Sequence, residues 1–157
     1  IFYNHKNTGR PEGFYESVFI TKYLDSPNQP LFPFGYGLSY TTFEYSEIQM
    51  EDKQLTRDGK LNVSVKVKNT GKYKGTETVQ LYIRDLVASV TRPVKELKSF
   101  RKVELKPGEE KKVEFVITEK DLRFWNDKKQ FISEPGKFHL FIGTDSENVK
   151  KAEFVLL

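Results

Sequence analysis

The sequence predicts an all-β fold, an antiparallel β-sandwich preceded by an irregular, aromatic-rich N-terminal arm. Three observations support this fold class. Beyond Thr41, apolar and polar residues alternate in a series of short segments, and dipeptides typical of turns separate these segments. Before Thr41, aromatic residues and prolines are concentrated without a helical or strand period. One short helical turn is expected over Thr118–Leu122, where Thr118 is placed to cap it.

Five segments carry the alternation of period two that turns one face of a strand inward and leaves the other in water. The residues expected to face inward are Leu61, Val63, Val65 and Val67, then Val79, Leu81 and Ile83, then Val113, Phe115 and Ile117, then Phe138, Leu140 and Ile142, and finally Ala152, Phe154 and Leu156. Four aromatic residues are expected to enlarge this core, namely Phe100, Phe124, Trp125 and Phe131. At roughly 1.5–3 kcal/mol for each buried side chain, such a core sustains a domain that contains no cysteine.

Turn sequences separate the predicted strands: Asp58-Gly59, Asn69-Thr70-Gly71, Pro107-Gly108 and Pro135-Gly136. A proline followed by a glycine supplies the fixed φ and the positive φ of the two central positions of a type II turn. Both Pro-Gly pairs are therefore predicted to form such turns.

The N-terminal arm differs in composition from the rest of the chain. Residues 1–40 contain ten of the aromatic residues and four of the seven prolines. Irregular backbone with many large apolar side chains needs a surface to pack against, and an upstream domain is the expected one. The alternative is an arm that folds back over its own domain. Because the chain starts at Ile1 and its one methionine is Met50, we expect a piece of a longer protein.

Composition and charge exclude several functional classes. The chain has a net charge of +4 and one purely basic stretch of lysines. Lysines in this stretch alternate with valines, which is typical of the solvated face of a strand and not of a nucleic-acid-binding site. These lysines are Lys60, Lys66, Lys68, Lys72 and Lys74. No apolar run is long enough for a membrane span. His5 and His139 are far apart in sequence, and without cysteine no metal site and no cofactor site is predicted.

No catalytic constellation is predicted within these residues. Asp85, Asp121 and Glu134 lie near predicted strand ends, where capping or surface pairing accounts for them. A serine nucleophile motif of the G-x-S-x-G type is absent. Trp125 is interpreted first as a buried anchor beside a hairpin turn, and second as a platform for stacking a sugar ring.

The run Leu31–Phe43, LFPFGYGLSYTTF, resembles the segment that joins the α/β sandwich domain to the C-terminal fibronectin type III-like domain in glycoside hydrolase family 3. Similar runs continue almost to Leu157, and the likeness is greatest to bacterial periplasmic β-glucosidases. They include Asn69–Gly71, Val79–Asp85, Arg92–Leu97, Leu105–Glu109, Glu134–Phe138 and Phe141–Ser146. Upstream, Tyr3–Pro11 looks like the end of the preceding domain.

The resemblance implies an immunoglobulin-like, fibronectin type III-like sandwich over residues 38–157, preceded over residues 1–37 by the tail of an α/β domain and a linker. It implies a parent enzyme that hydrolyses β-glucosides with an aspartate on an upstream barrel, and a periplasmic or secreted location. No catalytic residue falls within this chain, so the domain is expected to stabilise the catalytic domains or to dock on them. The residues expected at the interdomain contact are Phe34, Gly35, Tyr36, Gly37, Leu38, Ser39 and Tyr40, with Phe43 beside them. Leu38 and Phe43 are alternatively core residues of the sandwich.

Two other functions remain open at this level. A carbohydrate-binding or adhesive module needs two or three exposed rings on one face, and the candidates for glycan contact are Tyr73, Tyr82, Trp125 and Phe141. The third possibility, an enzyme complete within these residues, is not expected to turn over an aryl β-glucoside.

Overall fold

The computed structural model describes residues 29–157. The segment Tyr3–Pro11, His5 and most of the aromatic arm therefore lie outside the described residues. The strands of this part, in chain order, are β1 (Phe43–Tyr45), β2 (Gln49–Met50), β3 (Gln54–Leu55), β4 (Lys60–Asn69), β5 (Gly75–Asp85), β6 (Glu96–Leu105), β7 (Glu110–Thr118), β8 (Phe124–Trp125), β9 (Phe131–Ile132), β10 (Gly136–Gly143) and β11 (Val149–Leu156).

Two sheets and a small hairpin make up the described fold. In the first sheet, β4 pairs with β7 along one edge. Along its other edge β4 pairs with both β1 and β2, which lie one after the other. The second sheet has the order β3-β11-β10-β5-β6, and β8 and β9 form the hairpin. The all-β sandwich is thus confirmed. One described pairing departs from the antiparallel expectation, because β3 crosses to the second sheet and runs parallel to β11.

The alternation of period two correctly identifies the core. The residues expected to face inward are buried between the sheets, except that Ala152 is partly buried. Phe138 and Phe154 stack there with ring centroids 5.4 Å apart. This interior supplies the main stabilisation of the sandwich, because it removes a contiguous apolar surface from water.

The prediction that four further aromatic residues lie in the core is wrong for three of them. Phe124 is buried, but Phe100, Trp125 and Phe131 are 54%, 66% and 49% exposed. Phe100 lies on edge strand β6, opposite Gln80 of β5 and on the outer side of the sheet. Trp125 and Phe131 pair across the β8–β9 hairpin, on the face turned away from Phe124. The interpretation of Trp125 as a buried anchor is therefore wrong.

The two Pro-Gly pairs adopt different conformations. Gly108 has a φ of +75°, and the Glu109 N–H donates to the Lys106 carbonyl at 3.0 Å, as a type II turn requires. Gly136 has no positive φ and instead begins β10, where it pairs with Leu156, so the second predicted turn is wrong. Pairing with β11 requires extended backbone at that position.

The helical turn is confirmed as a 3₁₀-helix over Glu119–Leu122 that follows Thr118. The Asp121 carboxylate accepts hydrogen bonds from the Thr118 N–H at 2.7 Å and from the Thr118 hydroxyl at 2.8 Å. In residues 29–157, no helix has the length and apolar character that crossing a bilayer requires.

Candidate functional site

The linker segment, residues 33–40, begins with a β-turn. The Tyr36 N–H donates to the Pro33 carbonyl at 3.0 Å, and Gly35 between them has a φ of +83°. A positive φ at the third position defines a type II turn and favours glycine there. The turn points the backbone carbonyls of Phe34 and Gly35 toward the five-stranded sheet.

The outer face of β5 and the β10–β11 connection bind these carbonyls. The Gln80 side-chain amide donates to the Gly35 carbonyl at 3.0 Å, and the Ser146 N–H donates to the Phe34 carbonyl at 2.9 Å. The Tyr82 hydroxyl donates to Gln80 Oε1 at 2.5 Å and lies 3.4 Å from the Phe34 carbonyl. The linker is therefore held through its backbone, by residues 45 or more positions away in sequence.

Gln80 uses its whole amide at this contact. Its second N–H donates to the Thr144 carbonyl, so both donors are bonded while Oε1 accepts from Tyr82. Burial, and after it the charge of Asp145, raises the pKa of Tyr82 to about 12, so its hydroxyl stays protonated and able to donate. Gln80 and Tyr82 thus orient each other toward the linker.

The two linker glycines have different roles. A Cβ on Gly35 would lie 2.1 Å from Gln80 Oε1, so close approach and positive φ both require glycine there. Gly37 has no positive φ and open space around its Cβ position. Close approach and positive φ therefore explain Gly35 but not Gly37.

The linker ends at an anchor on the first sheet. Thr41 is buried, and its hydroxyl donates to Asn69 Oδ1 at 2.7 Å. The Asn69 amide donates to the carbonyls of Tyr73 and Leu105 at 2.8 and 3.0 Å. Phe43 then packs against the core, as expected from the alternative prediction that it is a core residue of the sandwich. The linker therefore joins the sandwich through fixed contacts on both sheets.

Most linker side chains point away from the sandwich. Leu38 and Tyr40 are 89% and 96% exposed, so the reading of Leu38 as a core residue is wrong. Ser39 is also exposed, and its hydroxyl accepts from the Thr41 N–H at 3.3 Å. The exposed apolar residues of this region are here called the linker patch, made up of Leu31, Phe32, Tyr36, Leu38 and Tyr40. Its backbone folds onto its own domain, while these side chains leave an apolar surface uncovered.

A groove of about 660 Å³ lies beside the linker. Its walls include the rings of Phe34, Phe43 and Phe100. Two carboxylates, Glu77 and Asp145, also line it, and both residues are less than a tenth exposed. None of its described lining residues is Lys, Arg or His.

The two groove carboxylates are held differently. Asp145 accepts from the Glu147 and Asn148 N–H groups at 2.8 Å each, and these bonds lower its pKa even though burial acts to raise it. Glu77 accepts from the Tyr45 hydroxyl at 2.8 Å, yet burial foremost, with the charge of Asp145 adding to it, raises its pKa. Within residues 29–157 neither forms an ion pair.

The predicted glycan-contact residues do not share one exposed face. Tyr73 is exposed, whereas Tyr82 and Phe141 are only 1% and 7% exposed, so the expectation that these two rings face solvent is wrong. Tyr82 lies beneath the linker, and Lys95 Nζ lies 5.0 Å from the centre of the Phe141 ring. Trp125 is exposed beside Phe131, with ring centroids 5.3 Å apart.

The acidic residues near strand ends have structural contacts. Asp121 caps the helical turn, Glu134 accepts from the Ser89 N–H at 2.9 Å, and Asp85 accepts from the Val87 N–H at 3.3 Å. Burial raises the pKa of Asp85 to about 6, against the lowering effects of the Val87 N–H and Arg92. In residues 29–157, no three His, Asp or Glu side chains converge as metal ligands.

Sequence reasoning missed the residues that bind the linker. Gln80 and Tyr82 occupy the positions of β5 that alternate with its core residues, so the pattern assigned them to solvent. A buried glutamine on an interior strand of a sheet carries no sequence signal of its own. The linker that covers it returns from a distant part of the chain.

Comparison with known proteins gives a consistent result. The model of the fibronectin type III-like domain matches residues 77–146. The chain is 49% identical over its whole length to a periplasmic β-glucosidase of Salmonella typhimurium, covering 21% of that protein. It is 55% identical to a β-glucosidase of Bacteroides ovatus over 78% of the chain and 16% of that protein. A β-glucosidase of Listeria innocua in complex with glucose superposes with a TM-score of 0.92 and 42% identity, over 99% of the chain and 22% of that structure.

The chain thus spans about a fifth of the length of the curated relatives it matches. The sequence similarity and the superposition each match a similar share of these proteins. The sandwich is therefore a fibronectin type III-like domain, and the chain is similar to the C-terminal part of β-glucosidases of glycoside hydrolase family 3.

Proposed function

We propose that this chain is the non-catalytic end of a β-glucosidase-type enzyme and that its linker docks the sandwich on the preceding catalytic domains. The parent polypeptide, meaning the longer protein that contains this chain, hydrolyses β-glucosides in the periplasm or outside the cell. The observation that carries the proposal is the linker itself: hydrogen bonds from Gln80 and Ser146 fix its backbone, while Leu38 and Tyr40 stay exposed.

The exposure of apolar side chains to water supports docking on the linker patch. Five exposed apolar side chains within ten residues are a liability unless another surface covers them. Hydrogen bonds between the linker backbone and β5 fix the position of these side chains, which lowers the entropy lost when a partner surface packs on them. The proposed domain boundary, with residues 1–37 as the upstream tail and linker and residues 38–157 as the sandwich, falls within this linker segment, between Gly37 and Leu38.

The predicted interdomain residues take separate roles in this proposal. Phe34 and Gly35 present their carbonyls to the sandwich. Tyr36, Leu38 and Tyr40 supply the apolar surface that meets the catalytic domains. Gly37 and Ser39 leave room between these side chains.

The test is a double variant, Leu38→Ala with Tyr40→Ala, made both in this chain and in the parent polypeptide. Because both side chains are exposed here, the melting temperature of the 157-residue chain should change by less than about 2 °C. In the parent, the C-terminal domain should melt earlier, and protease should release it at least tenfold faster.

The matched control is Tyr73→Ala with Val87→Ala, which removes two exposed side chains outside the linker. It should leave both proteins unchanged. Equal release of the domain from the parent and from its Leu38/Tyr40 variant would contradict docking through the linker.

The exposed Trp125–Phe131 pair favours a second candidate, binding of a glycan. Paired rings on a hairpin offer a surface on which a sugar ring can stack. Titration of this chain with cello-oligosaccharides should then change the fluorescence of Trp125, its one tryptophan, saturably, and Phe131→Ala should weaken that response. An unchanged signal eliminates this candidate without affecting the docking proposal.

A further inference from the structure

The groove beside the linker has an unusual charge for this protein. The chain carries a net charge of +4, with 26 Lys and Arg residues. Nevertheless two carboxylates line the groove, both from residues less than a tenth exposed, and none of its described lining residues is cationic. The negative charge of Asp145 disfavours the ionised form of Glu77.

Buried charge of one sign is costly unless a partner compensates it. Asp145 obtains compensation from the N–H groups of its own turn. Among the described residues Glu77 has two neutral donors, the Tyr45 hydroxyl and the Thr78 N–H, and it lines a groove large enough for a long side chain. The aromatic rings of Phe34, Phe43 and Phe100 suit the methylene stem of a lysine or the plane of a guanidinium.

We infer that the groove receives a lysine or arginine side chain from the catalytic part of the parent polypeptide, upstream of Ile1, and that Glu77 is its counter-ion. This inference rests on the proposed docking function and adds the chemistry of the partner. Charge complementarity selects a cation over a neutral sugar, and the groove is continuous with the linker through Tyr36 and Leu38. About four fifths of the length of the matched relatives lies outside the region that this chain covers.

The test uses Glu77→Gln, because glutamine keeps an oxygen that accepts from the Tyr45 hydroxyl while it removes the charge. Within residues 29–157 no cation pairs with this carboxylate, so in this chain by itself Glu77→Gln should leave the melting temperature unchanged or raise it. In the parent polypeptide the same substitution should lower the melting temperature of the C-terminal domain and speed its release by protease about tenfold. Addition of 0.5 M NaCl should reduce that difference only in part, since a buried pair is weakly screened.

The matched control is Glu104→Gln, an acid on β6 that pairs with Lys74 on the surface. It should change this chain and the parent equally and slightly. If Glu77→Gln destabilises this chain as much as the parent, Glu77 has only a local structural role and the inference fails. If it changes neither protein, no cation binds at Glu77.

The Leu38→Ala and Tyr40→Ala variant separates this inference from the proposal beneath it. If that variant weakens docking while Glu77→Gln changes both proteins equally, docking through the linker is supported and binding of a cation at Glu77 is contradicted. Should neither act in the parent, both proposals fall. A second copy of the chain as the occupant would instead appear as a dimer that Glu77→Gln dissociates.

Discussion

The two faces of β5 are stabilised in different ways. On the inner face, Val79, Leu81 and Ile83 pack into the core through apolar side chains. On the outer face, Gln80 and Tyr82 bind the linker through hydrogen bonds to its backbone. The inner face depends on side-chain volume, whereas the outer face depends on the position of a few polar atoms. One strand thus contributes to the core and fixes the linker segment.

The largest effect is expected on the inner face. Leu81→Ala should lower the free energy of unfolding by about 3 kcal/mol, because it leaves a cavity at a position that is 1% exposed. Urea denaturation of this chain gives the value. Phe100→Ala, on the outer side of edge strand β6, serves as the control and should cost less than about 0.5 kcal/mol. Similar losses for the two variants would mean that the inner face is not the stabilising one.

On the outer face, Gly35→Ala should detach the linker without unfolding the sandwich. The added methyl overlaps Gln80 Oε1, and the residue must also hold a positive φ, for a combined cost of about 2 kcal/mol. Protease cleavage within residues 31–40 should become at least tenfold faster, while the urea midpoint of the sandwich changes little. Gly37→Ala is the control, since open space surrounds its Cβ position. Equal cleavage of the two variants would contradict the bound turn.

A smaller effect is expected for Tyr82→Phe. It removes the hydroxyl that orients the Gln80 amide and leaves the ring in place against Phe34. The loss of one buried hydrogen bond costs about 1 kcal/mol, so cleavage in the linker should rise about fivefold. A cleavage rate equal to that of the unsubstituted chain would show that Gln80 holds the linker without help.

At the far end of β5, Asp85 should make stability depend on pH. Its pKa of about 6 lies above the ordinary 3.8, so the folded state binds the proton more tightly than the unfolded state. Stability should therefore decrease as pH rises from about 4 to about 7. The contribution is about 1 kcal/mol, since the carboxyl is only half buried.

Asp85→Asn tests this dependence through thermal melting of both proteins at pH 4.5 and pH 7.5. The substitution removes the titrating group, so the variant should gain stability relative to the unsubstituted chain at the higher pH. Parallel pH profiles for the two proteins would show that burial does not shift the pKa of Asp85.

The sequence predicted the inner face and not the outer one, for a physical reason. Alternation along β4 and β5 reports which side of a strand is apolar, and that is enough to place Val63 or Leu81 in the core. It does not report that a segment 45 residues earlier returns to cover Gln80. Gly35 was predicted to lie at an interdomain contact, but its partner Gln80 on β5 was not.

The other wrong predictions concern short structural elements. Strands β8 and β9 are two residues long each, too short for a period to show which of Phe124 and Trp125 faces inward. The Pro-Gly pairs are identical as dipeptides, yet one turns the chain and the other enters a strand that pairs with β11. Tertiary pairing decides such cases.

The central claim is that the sandwich fixes the backbone of the linker while the exposed linker side chains meet the catalytic domains. Hydroxyl-radical footprinting of this chain and of the parent polypeptide tests it directly, by comparing Tyr40 with Tyr73. Both tyrosines are exposed in this chain and should be oxidised readily. In the parent, Tyr40 should be protected at least fivefold and Tyr73 should react as before. Oxidation of Tyr40 at the same rate in both proteins would contradict the account.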